Sequence, residues 1–268
     1  MKNIKIKVAA ASHRGRRKWN EDNFYTGKRI SVDAEGLYSL SHTISKPTIC
    51  AVCDGMGGLT DGKVASQNVV TYLKEYCNKN LYHNSKKSFH TDSKKNIFVW
   101  INQLVNELNG YMNMAYDSSK EYGSTLAMLY LGEEKIYASN IGDSSIYIFK
   151  KGILEKISID HTQHASAVRL GIKSKDDTWG KNVLTQYLGM PIDSIVLEPY
   201  TISVDYDPMT FLMCSDGLIE RLNEQEISHI VSNAKYMTLK SLSKKLIKAA
   251  IDKGTKDNVT VMLVRIRI

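Results

Sequence analysis

The sequence predicts an α+β fold in which antiparallel β-sheets are flanked by α-helices. About nine segments have the β-branched and apolar composition of strands, and three longer ones repeat apolar residues at helical spacing. The helices neither alternate regularly with the strands nor are absent, which disfavours a parallel α/β sheet and an all-β protein. Because no change of composition marks a boundary in the 268 residues, we expect one domain over residues 1–268.

The predicted strands are bounded by Gly, Asp, Asn or Pro, as strands usually are. They are Ile4–Ala11, Asp22–Thr26, Thr48–Cys53, Ser124–Leu131, Lys135–Asn140, Ser145–Lys150, Ile195–Asp205, Thr210–Cys214 and Val259–Ile266. The predicted helices, each with one apolar face, are Lys63–Cys77, Asn96–Tyr116 and Leu239–Lys253. Three polar stretches are expected to be surface insertions, and the second to be mobile: Lys28–Lys46, Asn78–Lys95 and Gln163–Lys181.

The formal net charge of +8 makes a basic nucleic-acid binder one alternative. The lysines, however, are spread along the whole chain, and such a surface mainly affects solubility and long-range steering. Arg14, Arg16 and Arg17 instead fall within four positions, and arginine is suited to bidentate phosphate binding. This cluster favours one local phosphate site over a nucleic-acid surface.

The cysteines and the N-terminal residues predict a reduced, soluble, cytoplasmic protein that contacts no membrane. The four cysteines are too few and too irregularly spaced for a disulfide framework. A zinc site at Cys50 and Cys53 is an alternative, but no second pair follows, and both lie in a predicted strand, which favours core packing. The chain start lacks a signal peptide's apolar region, and no segment approaches the ~20 apolar residues of a membrane span.

Acidic residues stand at the ends of several predicted strands, beside Gly or Asn. They are Glu21, Asp22, Asp54, Asp143, Asp216 and Asp257. Each alone is explained as a turn former. Together they indicate more, because neighbouring strands bring their ends side by side, where these carboxylates would repel one another unless a cation neutralised them. Oxygen ligands of this kind suit Mg²⁺ or Mn²⁺.

A metal cluster beside an arginine predicts phosphate chemistry. Two divalent ions can hold and deprotonate a bridging water, which then attacks the phosphorus, while the arginine holds the phosphate oxygens. No side-chain nucleophile is needed, and the one Asp-His pair, Asp160 and His161, is better explained as turn and strand-end structure.

The order of these motifs resembles the metal-dependent protein phosphatase family, of the protein phosphatase 2C type, over nearly the whole chain. The matching motifs are RKWNED at 17–22, DGMGG at 54–58, GST at 123–125, NIGDS at 140–144, DHT at 160–162, LTQYLG at 184–189, SDGL at 215–218 and DNVT at 257–260. The MGG variant is similar to bacterial members. Each motif alone is weak, whereas eight in the family's order and approximate spacing are specific.

This resemblance implies a four-layer α-β-β-α sandwich and a centre of two Mn²⁺ or Mg²⁺ ions. Asp54 would bridge the ions, the Gly55 carbonyl would be a ligand, and Asp216 and Asp257 would bind one ion. The remaining matches are Glu21 and Asp22 beside the other ion, largely through water, Asp143 at a third-ion position, and Arg17 as the phosphate-binding arginine. Arg14 and Arg16 match no such position, and residues 163–181 correspond to the family's variable flap. Met56 replaces a histidine that many relatives carry as a proposed general acid.

The resemblance implies hydrolysis of phosphoserine and phosphothreonine by the metal-bridging water or hydroxide. The implied partners are phosphorylated proteins, the substrates of a serine/threonine kinase, and we expect a monomer. The alternative is an inactive, phosphatase-like module that binds phosphoproteins in signalling. The presence of every ligand-type residue argues against that alternative.

Overall fold

The computed structural model describes residues 5–31, 36–45, 47–57, 61–82, 94–114, 122–132, 135–191, 194–203, 207–233 and 237–267. Its strands are β1 (Lys5–His13), β2 (Asp22–Tyr25), β3 (Tyr38–Ile44), β4 (Thr48–Gly57), β5 (Tyr122–Ser124), β6 (Leu126–Leu131), β7 (Lys135–Ile141), β8 (Ser145–Lys150), β9 (Ile153–Lys156), β10 (Tyr200–Ser203), β11 (Met209–Cys214) and β12 (Val259–Arg267). The helices are α1 (Asp61–Tyr76), α2 (Lys94–Met114), α3 (Gln163–Arg169), α4 (Asp216–Ile219), α5 (Glu224–Ser232) and α6 (Leu239–Asp252), and a π-helical turn, Cys77–Tyr82, follows α1.

The strands form two antiparallel sheets. The first has the order β3-β1-β12-β11-β8-β9, and the second has the order β10-β7-β6-β4-β2 with β5 paired to β4. Apolar side chains of both sheets, among them Phe24, Val52, Phe211 and Val264, form one buried cluster between them. This arrangement places the two sheets face to face.

Helices cover the outer faces of both sheets. Val69 of α1 and Leu104 of α2 share a buried cluster with Met128 of the second sheet. Leu246 of α6 packs in the same way with Leu263 of the first sheet. In α6 the buried residues recur every three or four positions, which gives the helix one apolar face to pack on the sheet. At its start the Thr238 hydroxyl accepts a hydrogen bond from the Ser241 amide. The predicted four-layer α-β-β-α sandwich is therefore confirmed.

The structure corrects two of the predicted segments. The stretch Lys28–Lys46 is not only an insertion, because it contains the edge strand β3, whose Leu40 and Ile44 are buried beside β1. Its intervening Ser, His and Thr residues resemble a loop in composition. The predicted strand Ile195–Asp205 is ordered as a strand only over β10, since Pro199 interrupts the run, and residues 204–206 lie outside the described residues.

Other predictions hold with small shifts of their boundaries. The three long helices are present, whereas the short elements β5, β9, α4 and α5 were not predicted. The stretch Gln163–Lys181 begins with α3. Most of Asn78–Lys95, the stretch expected to be mobile, lies outside the described residues. All four cysteine thiols are buried, as core packing requires. No helix in the described ranges has the length and apolar character needed to cross a membrane.

Candidate metal centre

The strand order of the first sheet explains why four predicted site residues share one edge. Strands β1, β12, β11 and β8 are neighbours and run antiparallel. The end of β1, the start of β12, the end of β11 and the start of β8 therefore lie side by side. Each strand end has one of the predicted site residues two to four positions away along the chain: Arg17, Asp257, Asp216 and Asp143.

The second sheet supplies two more carboxylates and joins them to the first. Asp22 in β2 lies opposite Asp54 in β4. The Ser215 hydroxyl, next to Asp216, donates a hydrogen bond of 2.7 Å to Asp22 Oδ2. This contact connects the two sheets directly at the cluster. Asp22 is only 3% exposed, so its carboxylate lies inside the sandwich.

The backbone of Asp54 is held from both sides. Its N–H donates to Thr125 Oγ1 at 2.9 Å, and its carbonyl accepts from the Thr125 N–H at 2.8 Å and the Ser124 hydroxyl at 3.1 Å. Thr125 Oγ1 also lies 2.7 Å from Ser144 Oγ, in the residue after Asp143. These contacts fix the position of Asp54 relative to β8.

Glycines allow β4 to approach helix α1 closely beside Glu21. A Cβ added at Gly55 would lie 1.8 Å from the Gly62 carbonyl oxygen, and one added at Gly62 would lie 2.7 Å from Glu21 Oε1. Any side chain at either position would therefore force this junction apart. The Gly55 N–H also donates to the Glu21 carbonyl at 3.2 Å. Glu21 is thus packed against the start of α1 and the end of β4.

Arg17 faces the acidic cluster through Asp257. Its Nη2 donates to Asp257 Oδ2 at 2.7 Å, and this hydrogen bond is the largest contribution that raises the pKa of Arg17. Glu21 and Asp54 raise the same pKa through their charges. The Arg17 side chain is 55% exposed, so it lies at the boundary between the buried carboxylates and the solvent.

Asn258 organises the loop that carries Arg17, and the sequence prediction missed this role. Its Oδ1 accepts from the Glu21 N–H at 2.8 Å, and its Nδ2 donates to the carbonyls of Arg14 and Trp19 at 2.8 and 2.9 Å. Asn258 is 3% exposed. The available signal was an amide residue beside a strand-end aspartate, which was interpreted as a turn former.

Burial and mutual repulsion raise the pKa values of the clustered carboxyls. Burial is the main cause for each, and it raises the pKa of Asp22 to about 7, that of Asp216 to about 8 and that of Asp143 to about 6. The pKa of Asp54 is raised well above its usual range by burial and by the charges of Asp22, Asp216, Asp143 and Asp257. A nearby positive charge is therefore needed for these groups to ionise together near neutral pH.

The residues fit a divalent cation. Asp22 Oδ1 and Asp216 Oδ1 are buried and receive no hydrogen bond from the residues that the structure describes, which is costly unless a cation is present. The donors are all oxygens, as Mg²⁺ and Mn²⁺ prefer. Among the described residues, no group of three or more His, Cys, Asp or Glu side chains is arranged so that it could hold a metal ion by itself. A backbone carbonyl such as that of Gly55, and water, would complete the ligand set.

The remaining polar candidates have structural contacts. Asp160 is paired with Lys156 at 2.7 Å. His161 is buried, and its Nδ1 accepts from the Gly142 N–H at 3.2 Å. Arg14 Nη1 donates to the Lys18 carbonyl at 3.4 Å, whereas Arg16 is exposed. Arg17 is thus the member of the arginine cluster that the structure brings to the carboxylates.

Comparisons with known proteins agree with this geometry. The profile of the family described as Protein phosphatase 2C matches residues 12–252. The chain is 28% identical to the serine/threonine phosphatase stp of Listeria innocua over 229 residues, which cover 82% of this chain and 84% of that protein.

Solved structures share the fold. The serine/threonine phosphatase of S. agalactiae superposes with a TM-score of 0.77 at 22% identity, over 97% of this chain and 98% of that one. The catalytic domain of the phosphatase PstP, solved in complex with two manganese ions, superposes with a TM-score of 0.76 at 22% identity, over 99% and 100% of the two chains. The two manganese ions belong to that structure, and the likeness to this chain is one of fold.

We expect the stability of the chelated protein to fall as the pH rises. The pKa values of Asp22 and Asp216 lie near 7 and 8 in the folded chain, above the ordinary 3.8, so the folded state retains protons that the unfolded state releases. This contribution to stability is complete below the ordinary pKa and is lost as the pH passes through the folded values. Urea unfolding in EDTA from pH 5.5 to 8.5 measures the decline, which excess Mg²⁺ should reduce.

The control is Asp216→Asn, which removes one of the titrating groups. The free energy of unfolding of this variant in EDTA should decline less steeply with pH than that of the unaltered chain. Equal slopes in the two proteins would contradict the assigned cause.

Proposed function

Because this chain belongs to the protein phosphatase 2C family, it is a metal-dependent serine/threonine phosphatase, and we propose how its own residues divide that activity. The observation that carries the proposal is the meeting of carboxylates from both sheets at one edge, opposite Arg17. A phosphorylated serine or threonine would bind at this boundary between acidic interior and basic surface.

We assign the metal ligands to the residues with buried, unpaired or closely packed oxygens. Asp54 would serve both ions, because it lies opposite Asp22 and feels the charges of Asp143, Asp216 and Asp257. The other proposed ligands are the Gly55 carbonyl, Asp216 and Asp257, with Glu21 and Asp22 beside the second ion and Asp143 at a third. When bound, the ions supply Lewis-acid charge and lower the pKa of a coordinated water towards neutrality.

Arg17 is the proposed phosphate-binding residue. One of its nitrogens, Nη2, is engaged by Asp257, and the exposed guanidinium has further N–H donors. A phosphate oxygen can accept from those donors while Asp257 keeps the guanidinium oriented. Charge-assisted hydrogen bonds of this kind strengthen as negative charge grows on the transferring phosphoryl group.

We further propose phosphorylated proteins as the substrates, supplied by a serine/threonine kinase. The exposed position of Arg17 supports this, since the phosphate site opens to a surface that a protein substrate can reach. A monomer acting in the cytoplasm remains our prediction from the sequence.

The assay that tests the function compares phosphothreonine and phosphotyrosine peptides of the same sequence. We expect phosphate release from the phosphothreonine peptide with Mn²⁺, loss of release in EDTA, and recovery when Mn²⁺ is added again. Turnover that survives EDTA would overturn metal dependence, and a preference for phosphotyrosine would overturn the substrate class. Binding without any turnover would favour a phosphoprotein-binding module.

Asp54→Asn should lower kcat by more than about 100-fold, because the amide lacks the charge that would hold two cations. The helix and sheet content, measured by circular dichroism, should be unchanged. Asp252→Asn is the matched control, since Asp252 is exposed and pairs with Lys248 within α6. A near-normal rate for Asp54→Asn would show that the bridging assignment is wrong.

Arg17→Ala should lower kcat/KM for the phosphothreonine peptide by about 10- to 100-fold, the range expected when a hydrogen bond to a charged group is lost. The matched control is Arg16→Ala, which removes an exposed neighbouring arginine. If the two variants lost activity equally, general surface charge rather than a specific phosphate contact would be responsible.

A further inference from the structure

An exposed tryptophan with two lysines lies beside the carboxylate centre and has no part in the roles assigned above. Trp19 is 43% exposed. The Lys18 Nζ lies 5.1 Å from the centre of its ring, and the Lys63 Nζ, which comes from helix α1, lies 6.0 Å away. We call Lys18, Trp19 and Lys63 the Trp19 platform.

The platform is fixed to the residues that shape the centre. The Trp19 carbonyl accepts from Asn258 Nδ2, the same side chain that holds the Glu21 N–H. Lys63 follows Gly62, where an added Cβ would lie 2.7 Å from Glu21 Oε1 and 2.8 Å from the Gly55 carbonyl oxygen. These contacts anchor the backbone of Trp19 and the start of α1 beside the proposed metal ligands.

The platform also lies within reach of a substrate whose phosphate is held by Arg17. Trp19 is two residues from Arg17, so their Cα atoms are at most about 7 Å apart along the chain. An extended peptide advances by about 3.3–3.6 Å for each residue. The substrate residues one or two positions from the phosphorylated residue are thus those that can contact Trp19.

The chemistry of the platform selects an acidic contact. Two ammonium groups lie at the ring of Trp19, and ammonium groups attract carboxylates and repel basic side chains. The indole offers a flat apolar surface for the aliphatic part of the same substrate segment. One apolar residue at a surface is ordinary, whereas an aromatic ring with two cations at the edge of a phosphate site is a built arrangement.

We propose that the Trp19 platform binds an Asp or Glu side chain within two residues of the phosphorylated residue, so that the enzyme prefers acidic phosphopeptides. This inference rests on the proposed phosphatase function and adds a sequence preference to it. Trp19 and Lys63 determine specificity and take no part in the reaction. Exposed ion pairs are weak and screened by salt, so the preference should be about three- to tenfold at low salt and smaller in 0.5 M NaCl.

The experiment compares three phosphothreonine peptides of equal length. At the two positions before and the two positions after the phosphothreonine, the first carries Asp, the second Ser and the third Lys. The readout is the ratio of kcat/KM for the Asp and Ser peptides, measured with one enzyme preparation and Mn²⁺. We expect this ratio to fall towards one in Lys63→Gln and Trp19→Ala and to be largely kept in Trp19→Phe. Lys63→Glu should favour the Lys peptide.

The matched control is Lys74→Gln, which removes the same charge from the last turn of α1 and should keep the full ratio. A ratio of one in the unaltered enzyme, or an unchanged ratio in both Lys63→Gln and Trp19→Ala, would overturn the inference. Fluorescence anisotropy of the same labelled peptides gives the ratio of Kd values independently of turnover. Acidic preference in Kd without hydrolysis would contradict the phosphatase function alone, and hydrolysis without preference would contradict the platform alone.

Discussion

Repulsion among buried carboxylates is the constraint on which the rest of the structure depends. Asp22, Asp54 and Asp216 come from both sheets, and burial together with the charges of Asp22 and Asp216 raises the pKa of Asp54 well above its usual range. Burying several carboxylates without a counter-charge is costly, so packing alone gives no reason for acids at this position. Three features hold these carboxylates together so that a cation can bind them: the sheet order, the pairing of Asp22 with Asp54, and the glycine contact between β4 and α1.

Much of this centre was predictable because its residues follow local rules. An aspartate and a glycine after an apolar run mark a strand end, and antiparallel neighbours bring such ends to one edge. Asp54 and Asp216 were found in this way, whereas Asp257 was found because it stands with Asn258 directly before a predicted strand. The edge strand β3 escaped prediction because an edge strand tolerates polar residues on its outer face, which makes its composition similar to that of a loop.

Long-range side-chain contacts were not predictable from spacing. Asn258 contacts Glu21 and Arg14 across more than 230 residues of sequence, and no periodic pattern reports such a contact. Its three hydrogen bonds attach the Arg17 loop to the segment directly before β12, which also carries Asp257. The side chain of Asn258 therefore connects the loop that carries Arg17 to the proposed ligands. Sequence analysis missed this role because an asparagine at a strand end is usually a turn former.

The net charge of +8 gives a misleading view of where charge acts. The interior of the site is acidic, and the basic groups near it occupy its rim. Arg17 belongs to both regions, because Asp257 holds one edge of its guanidinium while the rest faces solvent. Had Arg17 been buried, its charge would neutralise the carboxylates permanently and compete with cations. At the surface, Arg17 is held in position by Asp257 and still has N–H donors for a phosphate. The Arg17–Asp257 ion pair thus lies at the boundary between the metal-binding interior and the substrate-binding surface.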